Sequence, residues 1–355
     1  MKIIAIGSIS VLSIVTSLCM SEAFLRWVGI GNPQDVVHVT FQEDLRDQRN
    51  WDQGAYIPGG KLRYFYPDNT RGYFDKTINP PAPTKDFSYI FNVTGTINEL
   101  GYRGPAVSIN RTEATTRIAL LGDSFTIGYG VRDEEISSRI MEQTLRGLTN
   151  KRFEVLNFGI TGSATPQQAD YFDRYVRRFK PDVVLVIMHL NDVTLTAENG
   201  FIGAMSRTRN YLWDFRKNSF LANLVVGVVA KWKLHKQLYD LYQTSFQKNS
   251  EAWQRVQQAF IKMRDICAKE GCKMSLVIHP IIYNLSEKYP FQAAHSAVKE
   301  FARSNEIASF DLLEALKGQK AEELWVQVAD QHPNEKAHRI VGQALANYTL
   351  THMLN

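Results

Sequence analysis

Cysteine is scarce in this chain, three in 355 residues. So few thiols make no disulfide framework, and the fold must rest on a packed core. Cys19 lies in an apolar N-terminus. Cys267 and Cys272 fall in "CAKEGC", close enough in sequence to bridge. They are read as two separate thiols, one on a helix and one starting a strand, because a helix end does not by itself supply disulfide geometry. No Cys/His cluster has metal-ligand spacing, so no metal site is expected, and nothing calls for a cofactor. A strong excess of one charge is also missing: 41 basic against 36 acidic residues leave a net +5, scattered along the chain. That argues against nucleic acid as a partner and leaves contact with an anionic surface or polymer open. Internal repeats and low-complexity tracts are absent, which excludes solenoids and compositional linkers.

What is present is a globular composition, 44% apolar and 22% charged, enough to bury a sizeable core. Ile3 to Met20 is an uncharged apolar run behind Lys2, near the lower limit for spanning a bilayer. Residues 1–30 are read as an uncleaved membrane anchor. A cleaved signal peptide ending near "SEA" is the alternative. Either reading puts the rest of the chain outside the cytoplasm, as a single-pass protein of the inner or plasma membrane or a released one. Residues 31–115 are rich in proline, with aromatic clusters such as "LRYFYPD" and alternating pieces such as "YIFNVTGTIN". They read as an extended linker and small β-rich cap.

From 116 to 355 strands and helices alternate. "RIALLG", "FEVLNFG", "PDVVLVIMHL", "KMSLVIHP" and "IASFD" read as strands. Helices are expected at 133–148, 166–179, 251–271, 291–304 and about 334–353. Continuous apolar strands separated by helices mean a parallel sheet covered on both faces. The expectation is a flavodoxin-like three-layer α/β/α sandwich on a five-stranded parallel sheet, with its site at the carboxyl ends of the strands. An insertion at about 195–248 interrupts the alternation. Its segment "FLANLVVGVVAKWKLHK" reads as a core or lid helix. An interfacial helix with Lys231, Trp232, Lys233 and Lys236 at headgroup level is the alternative.

Polar groups gather at those strand ends. Asp123 and Ser124 follow the first strand, Gly162 lies after the second, and His189, Asn191 and Asp192 close the third. "ADQHPN", with Asp330 and His332, precedes the last helix. Acyl transfer through serine needs these parts. A hydroxyl is a poor nucleophile until an imidazole takes its proton, and a carboxylate must hold the imidazole's tautomer. Donors must meet the oxyanion: the N–H of Ser124, the N–H of Gly162 and the amide of Asn191. Taken alone, Ser124 would be a helix N-cap assisted by Asp123. Taken alone, His332 would be an exposed loop residue, as His338 on the last helix is expected to be. His189, Asp192 and His279 are candidate substrate contacts. For His189 a second oxyanion donor and a buried, hydrogen-bonded strand end are the other readings, and Asp192 is expected to fix the loop carrying Asn191. Tyr102 and Arg103 of the leader are candidates to pack over the site, with no position that the sequence fixes for them.

"GDSFTIG", "NFGITGSAT", "LND" and "DQHPN", in this order, resemble the four blocks of the SGNH (GDSL-type) hydrolase superfamily, over roughly residues 117–350. The resemblance maps its four named residues to Ser124, Gly162, Asn191 and His332, and its usual aspartate to Asp330. It departs in two places. His189 stands where the family often has glycine, and Asp330-x-His332 is one residue shorter than the usual spacing. The leader and anchor look similar to membrane-tethered bacterial members. The resemblance implies a serine esterase or deacylase acting on an acylated carbohydrate or other small ester. The alternative is an O-acyltransferase of an envelope polysaccharide, fed by an acyl-donating membrane partner. A non-catalytic envelope binding or assembly protein is the reading from another class.

Overall fold

The computed structural model describes residues 2–28, 41–42, 54–67, 89–110, 114–196, 219–327 and 330–354. In chain order the elements are α1 (Lys2–Val28), β1 (Phe41–Gln42), β2 (Lys61–Pro67), β3 (Tyr89–Thr96), β4 (Thr115–Gly122), α2 (Ser124–Ile127), α3 (Ser137–Leu148), β5 (Arg152–Gly159) and α4 (Thr165–Arg174). Then come β6 (Val183–His189), α5 (Asn191–Thr196), α6 (Phe220–Ser245), α7 (Glu251–Glu270), β7 (Lys273–His279), α8 (Gln292–Ser304), β8 (Ala308–Asp311), α9 (Leu313–Leu316), β9 (Trp325–Gln327), β10 (Asp330–Pro333) and α10 (Glu335–Tyr348).

The central sheet has five strands in the order β5-β4-β6-β7-β8, and every pairing is parallel. All of β6 is buried, which is why its sequence is apolar without alternation. The chain steps one way from β4 to β5 and the other way from β5 to β6, β7 and β8. Right-handed crossovers therefore put α3 on one face and α4, α7 and α8 on the other. The reversal between β4 and β6 is the switch point where such sheets bind ligands. Smaller sheets join β1-β2-β3 and β9-β10.

Helix boundaries follow local chemistry. Ser250 caps α7 by accepting from Trp253 N, and Gly271 ends it at φ 78°. Trp253, Val256, Phe260, Met263 and Cys267 are buried, as the spacing predicts. That end corrects one expectation: Cys267 and Cys272 are disulfide-bonded. The left-handed glycine turns the chain back so that Cys272 N donates to Cys267 O at 2.9 Å, and the two Cα atoms stand 4.7 Å apart. α3 starts at Ser137, four residues after the expected start. α4 stops at Arg174; Val176–Phe179 form a tight 3-10 turn instead. There Tyr175 leaves helical geometry, stacks on Tyr171 and donates its hydroxyl to Leu100 O.

The chain divides into two compact units. The larger holds 39–66, 89–200 and 239–355, so the described parts of the leader share a unit with the sheet. The smaller holds 1–38, 67–88 and 201–238. Within it Glu22 of α1 caps the start of α6, accepting from Phe220 N at 3.0 Å, Leu221 N at 2.8 Å and Ser219 Oγ at 2.8 Å. Arg26 lies over the Phe220 ring. On α1, Leu18, Met20, Phe24 and Trp27 are exposed. Among the described residues no helix is long and apolar enough to cross a membrane. Most of the insertion before α6, and the side chains of Lys231, Trp232 and Lys233, lie outside the described residues; Lys236 is exposed.

Candidate active site

β4 ends at Gly122, which pairs in register with Gly159 at the end of β5. The short turn α2 sits directly on these two residues. A Cβ at Gly122 would collide with Thr126, and one at Gly159 with the backbone of Ile127. Asp123 caps the turn, its Oδ1 accepting from Phe125 N at 2.9 Å. The capping reading is therefore true of Asp123, and it leaves Ser124 at the first position of the turn with its hydroxyl available for another partner.

That partner is His332. Its Nε2 lies 2.9 Å from Ser124 Oγ, and its Nδ1 lies 2.5 Å from Asp330 Oδ1. The short Asp-x-His spacing works because β10 is extended, so residues two apart project to the same side. The His332 backbone N–H also reaches Asp330 Oδ1 at 3.1 Å. Asn334 anchors the segment from behind, donating to Glu323 O and Trp325 O and capping α10. The imidazole stacks on Tyr129, with ring centroids 4.3 Å apart, and meets Phe125 at 5.2 Å. Its side chain keeps 26% of its surface exposed.

The loop carrying Gly162 is tied to the same strand end. Ile160 N donates to Gly122 O at 2.9 Å, and Ser163 Oγ donates to Ile160 O at 2.9 Å. Gly162 is exposed at φ 72°. Asn191 begins α5, and its amide donates towards the Asp123 carboxyl. An amide nitrogen carries two hydrogens, so a second remains for an oxyanion. Asp192 is buried and accepts from Thr165 Oγ1 at 2.7 Å. It thereby joins the Asn191 turn to the start of α4, just after the Gly162 loop.

His189 and His279 lie beneath Phe125, both buried. The His189 ring stacks on Phe125 at 4.0 Å; its Nδ1 accepts from Asn191 N at 3.4 Å. His279 meets Phe125 edge-on at 5.0 Å, with Nδ1 on Pro280 O. Burial pushes His189 down to about 3 and His279 to about 4, so both stay neutral near pH 7. Both rings lie against Phe125. His338 corrects a second expectation: it is buried, and its Nδ1 accepts from Ser137 N at 3.1 Å. Burial raises the Asp123 carboxyl to about 6, against the pull of the Phe125 N–H, His332 and Asn191. Burial first and Asp123 second push Asp192 well above the carboxylate range. Among the described residues no cluster of three or more His, Cys, Asp or Glu could hold a metal ion.

Sequence reasoning missed Tyr129, Tyr56 and the role of Arg103. The Arg103 guanidinium is fully buried. It donates to Ile127 O at 2.9 Å, Gly128 O at 2.6 Å and Val131 O at 2.5 Å and pairs with Asp133 at 2.8 Å. It thus holds the stretch that runs from the nucleophile turn through Tyr129. Only a lone arginine in an irregular leader signalled it.

The model of the GDSL-like lipase/acylhydrolase family matches residues 120–340. Similar solved structures include a lipase/acylhydrolase from Enterococcus faecalis, 14% identical over 66% of this chain and 95% of that one, TM-score 0.42. An acetylxylan esterase from Geobacillus stearothermophilus is 16% identical over 65% and 93%, TM-score 0.41. The esterase EstA from a Pseudoalteromonas species is 14% identical over 68% and 100%, TM-score 0.40. A search of curated proteins finds no match.

Proposed function

This chain belongs to the GDSL-like lipase/acylhydrolase family, and from that premise we propose that it is a serine esterase or deacylase working through an acyl-enzyme, tethered to a membrane with its catalytic unit outside the cytoplasm. The observation that carries the chemistry is the continuous relay from Ser124 Oγ through both His332 nitrogens to Asp330. As Ser124 Oγ bonds the ester carbonyl carbon, its proton passes to His332 Nε2. Asp330 holds the Nδ1–H and stabilises the imidazolium. The Ser124 and Gly162 N–H groups and the Asn191 amide receive the oxyanion. Collapse breaks the bond to the leaving alcohol, which takes the proton from Nε2. Water, deprotonated by the same nitrogen, then releases the acid.

Three features support the placement. Ile3 to Met20 carries no charge, α1 exposes Phe24 and Trp27 beyond that run, and disulfides such as Cys267–Cys272 persist in oxidising compartments. An acylated carbohydrate of the envelope suits that location. If the acyl-enzyme is intercepted by a sugar hydroxyl instead of water, the same residues perform O-acyl transfer.

The full chain in detergent is assayed on p-nitrophenyl acetate and on acetylated oligosaccharides, beside Ser124→Ala. Release of acetate from both substrates, lost in Ser124→Ala, supports the esterase. A burst with slow turnover that added glycans accelerate supports the transferase. Turnover that survives Ser124→Ala removes the mechanism. For the tether, full-length chain retained in carbonate-washed membranes supports it; release as a shortened soluble form removes it.

A further inference from the structure

Tyr56 belongs to the leader, yet it reaches the catalytic loops. It is 1% exposed, and its backbone is fixed on both sides: Tyr56 N donates to Gly101 O at 3.2 Å, and Ala55 N donates to the Tyr171 hydroxyl at 3.2 Å. Its own hydroxyl accepts from Thr161 N at 2.9 Å and donates to Thr161 Oγ1 at 3.3 Å. One phenol therefore holds both the backbone and the side chain of Thr161, from 105 residues away. Thr161 immediately precedes Gly162. The peptide between them carries the Gly162 N–H, which makes no hydrogen bond among the described residues and lies on an exposed residue in a left-handed turn.

A loop donor binds an oxyanion well only if its direction is set before the charge appears. Glycine at φ 72° supplies little stiffness of its own. The rest of the loop is pinned on one side of the donor by Ile160 N on Gly122 O and on the other by Ser163 Oγ on Ile160 O. Between those anchors the Tyr56 hydroxyl holds the residue whose carbonyl carbon bears the donor nitrogen.

We propose that Tyr56 is a positioning residue for oxyanion binding, acting through Thr161 to aim the Gly162 N–H. This rests on the reading of Gly162 as an oxyanion donor to a Ser124 acyl-enzyme. The leader is then part of the catalytic apparatus rather than a spacer between membrane and enzyme.

The test is Tyr56→Phe in the full-length chain, which removes one oxygen and keeps the ring. Losing an oxyanion donor outright costs about a hundredfold or more in kcat; a misaimed one is expected to cost about tenfold. On p-nitrophenyl acetate, kcat should fall by about that factor with KM within about twofold. Affinity for a small alkylboronic acid, whose tetrahedral Ser124 adduct mimics the oxyanion, should weaken in parallel. Unchanged kcat and boronate affinity in Tyr56→Phe overturn the proposal. So does a fall in kcat with a lowered melting temperature but intact boronate affinity, which marks a purely structural role. Ser124→Ala is run alongside: activity surviving there defeats the underlying mechanism instead.

Discussion

Tyr129 presents its ring face to the His332 imidazole at 4.3 Å and 24°, and the imidazole becomes a cation each time it takes the Ser124 proton. A π-face over a partly desolvated cation contributes about 0.5–2 kcal/mol. Tyr129→Leu is therefore expected to lower kcat by about threefold to thirtyfold with KM little changed, read by steady-state kinetics. Beneath the site, Asp123 and Asp192 are buried near one another, and both carboxyls are raised. A raised carboxyl binds its proton more tightly in the folded chain. The contribution of such a group to stability is fully present below the unfolded value of 3.8 and, for Asp123, is lost as pH rises through about 6. Asp192→Asn keeps an acceptor for Thr165 and removes one charge. It should raise the urea midpoint at neutral pH, with the gain fading as pH falls towards the unfolded value of 3.8. The residues of the relay were legible because each sits in a short local pattern. His338 was misread although a signal was there: it shares the buried stripe of Val341, Gly342, Leu345 and Ala346 at helical spacing. Tyr56 and Arg103 were illegible because their partners come from distant parts of the chain, which no local pattern encodes.

At the scale of elements, β4 to β8 and most helices could be read from apolar runs, capping residues and terminal glycines. The exceptions depend on contacts through space. Tyr175 ends α4 early because its hydroxyl and ring find partners outside the helix. The Cys267–Cys272 bond depends on how the Gly271 turn brings the chain back, a distance the sequence does not state. Cys272→Ser should cost about 2 kcal/mol at most, given so short a closed loop, and leave kcat unchanged, because the bond lies at the entry to β7 and not at its site end. Chemical denaturation and steady-state assay read the two quantities. In the smaller unit, Glu22 caps α6, its carboxylate accepting from Phe220 N, Leu221 N and Ser219 Oγ. Glu22→Ala should accordingly speed amide exchange at Phe220 and Leu221 at neutral pH, followed by hydrogen–deuterium exchange.

For the whole molecule, alternating strands and helices with a reversal after β5 dictate a sheet whose switch point lies between β4 and β6. That topology brings Ser124, the Gly162 loop and the Asn191 turn to one edge. The β10 segment then delivers the Asp330–His332 pair from near the C-terminus. The leader was legible as β-rich but not as a member of the catalytic unit, since its grip runs through Tyr56 and Arg103. The central claim is that Ser124 is the nucleophile activated by His332. It is tested most directly by intact-mass and peptide analysis after exposure to a fluorophosphonate. One adduct, on the peptide bearing Ser124, absent in Ser124→Ala and slowed at least a hundredfold in His332→Ala, is the predicted result. An adduct that persists in Ser124→Ala, or labelling of Ser124 at an unchanged rate in His332→Ala, would contradict the account.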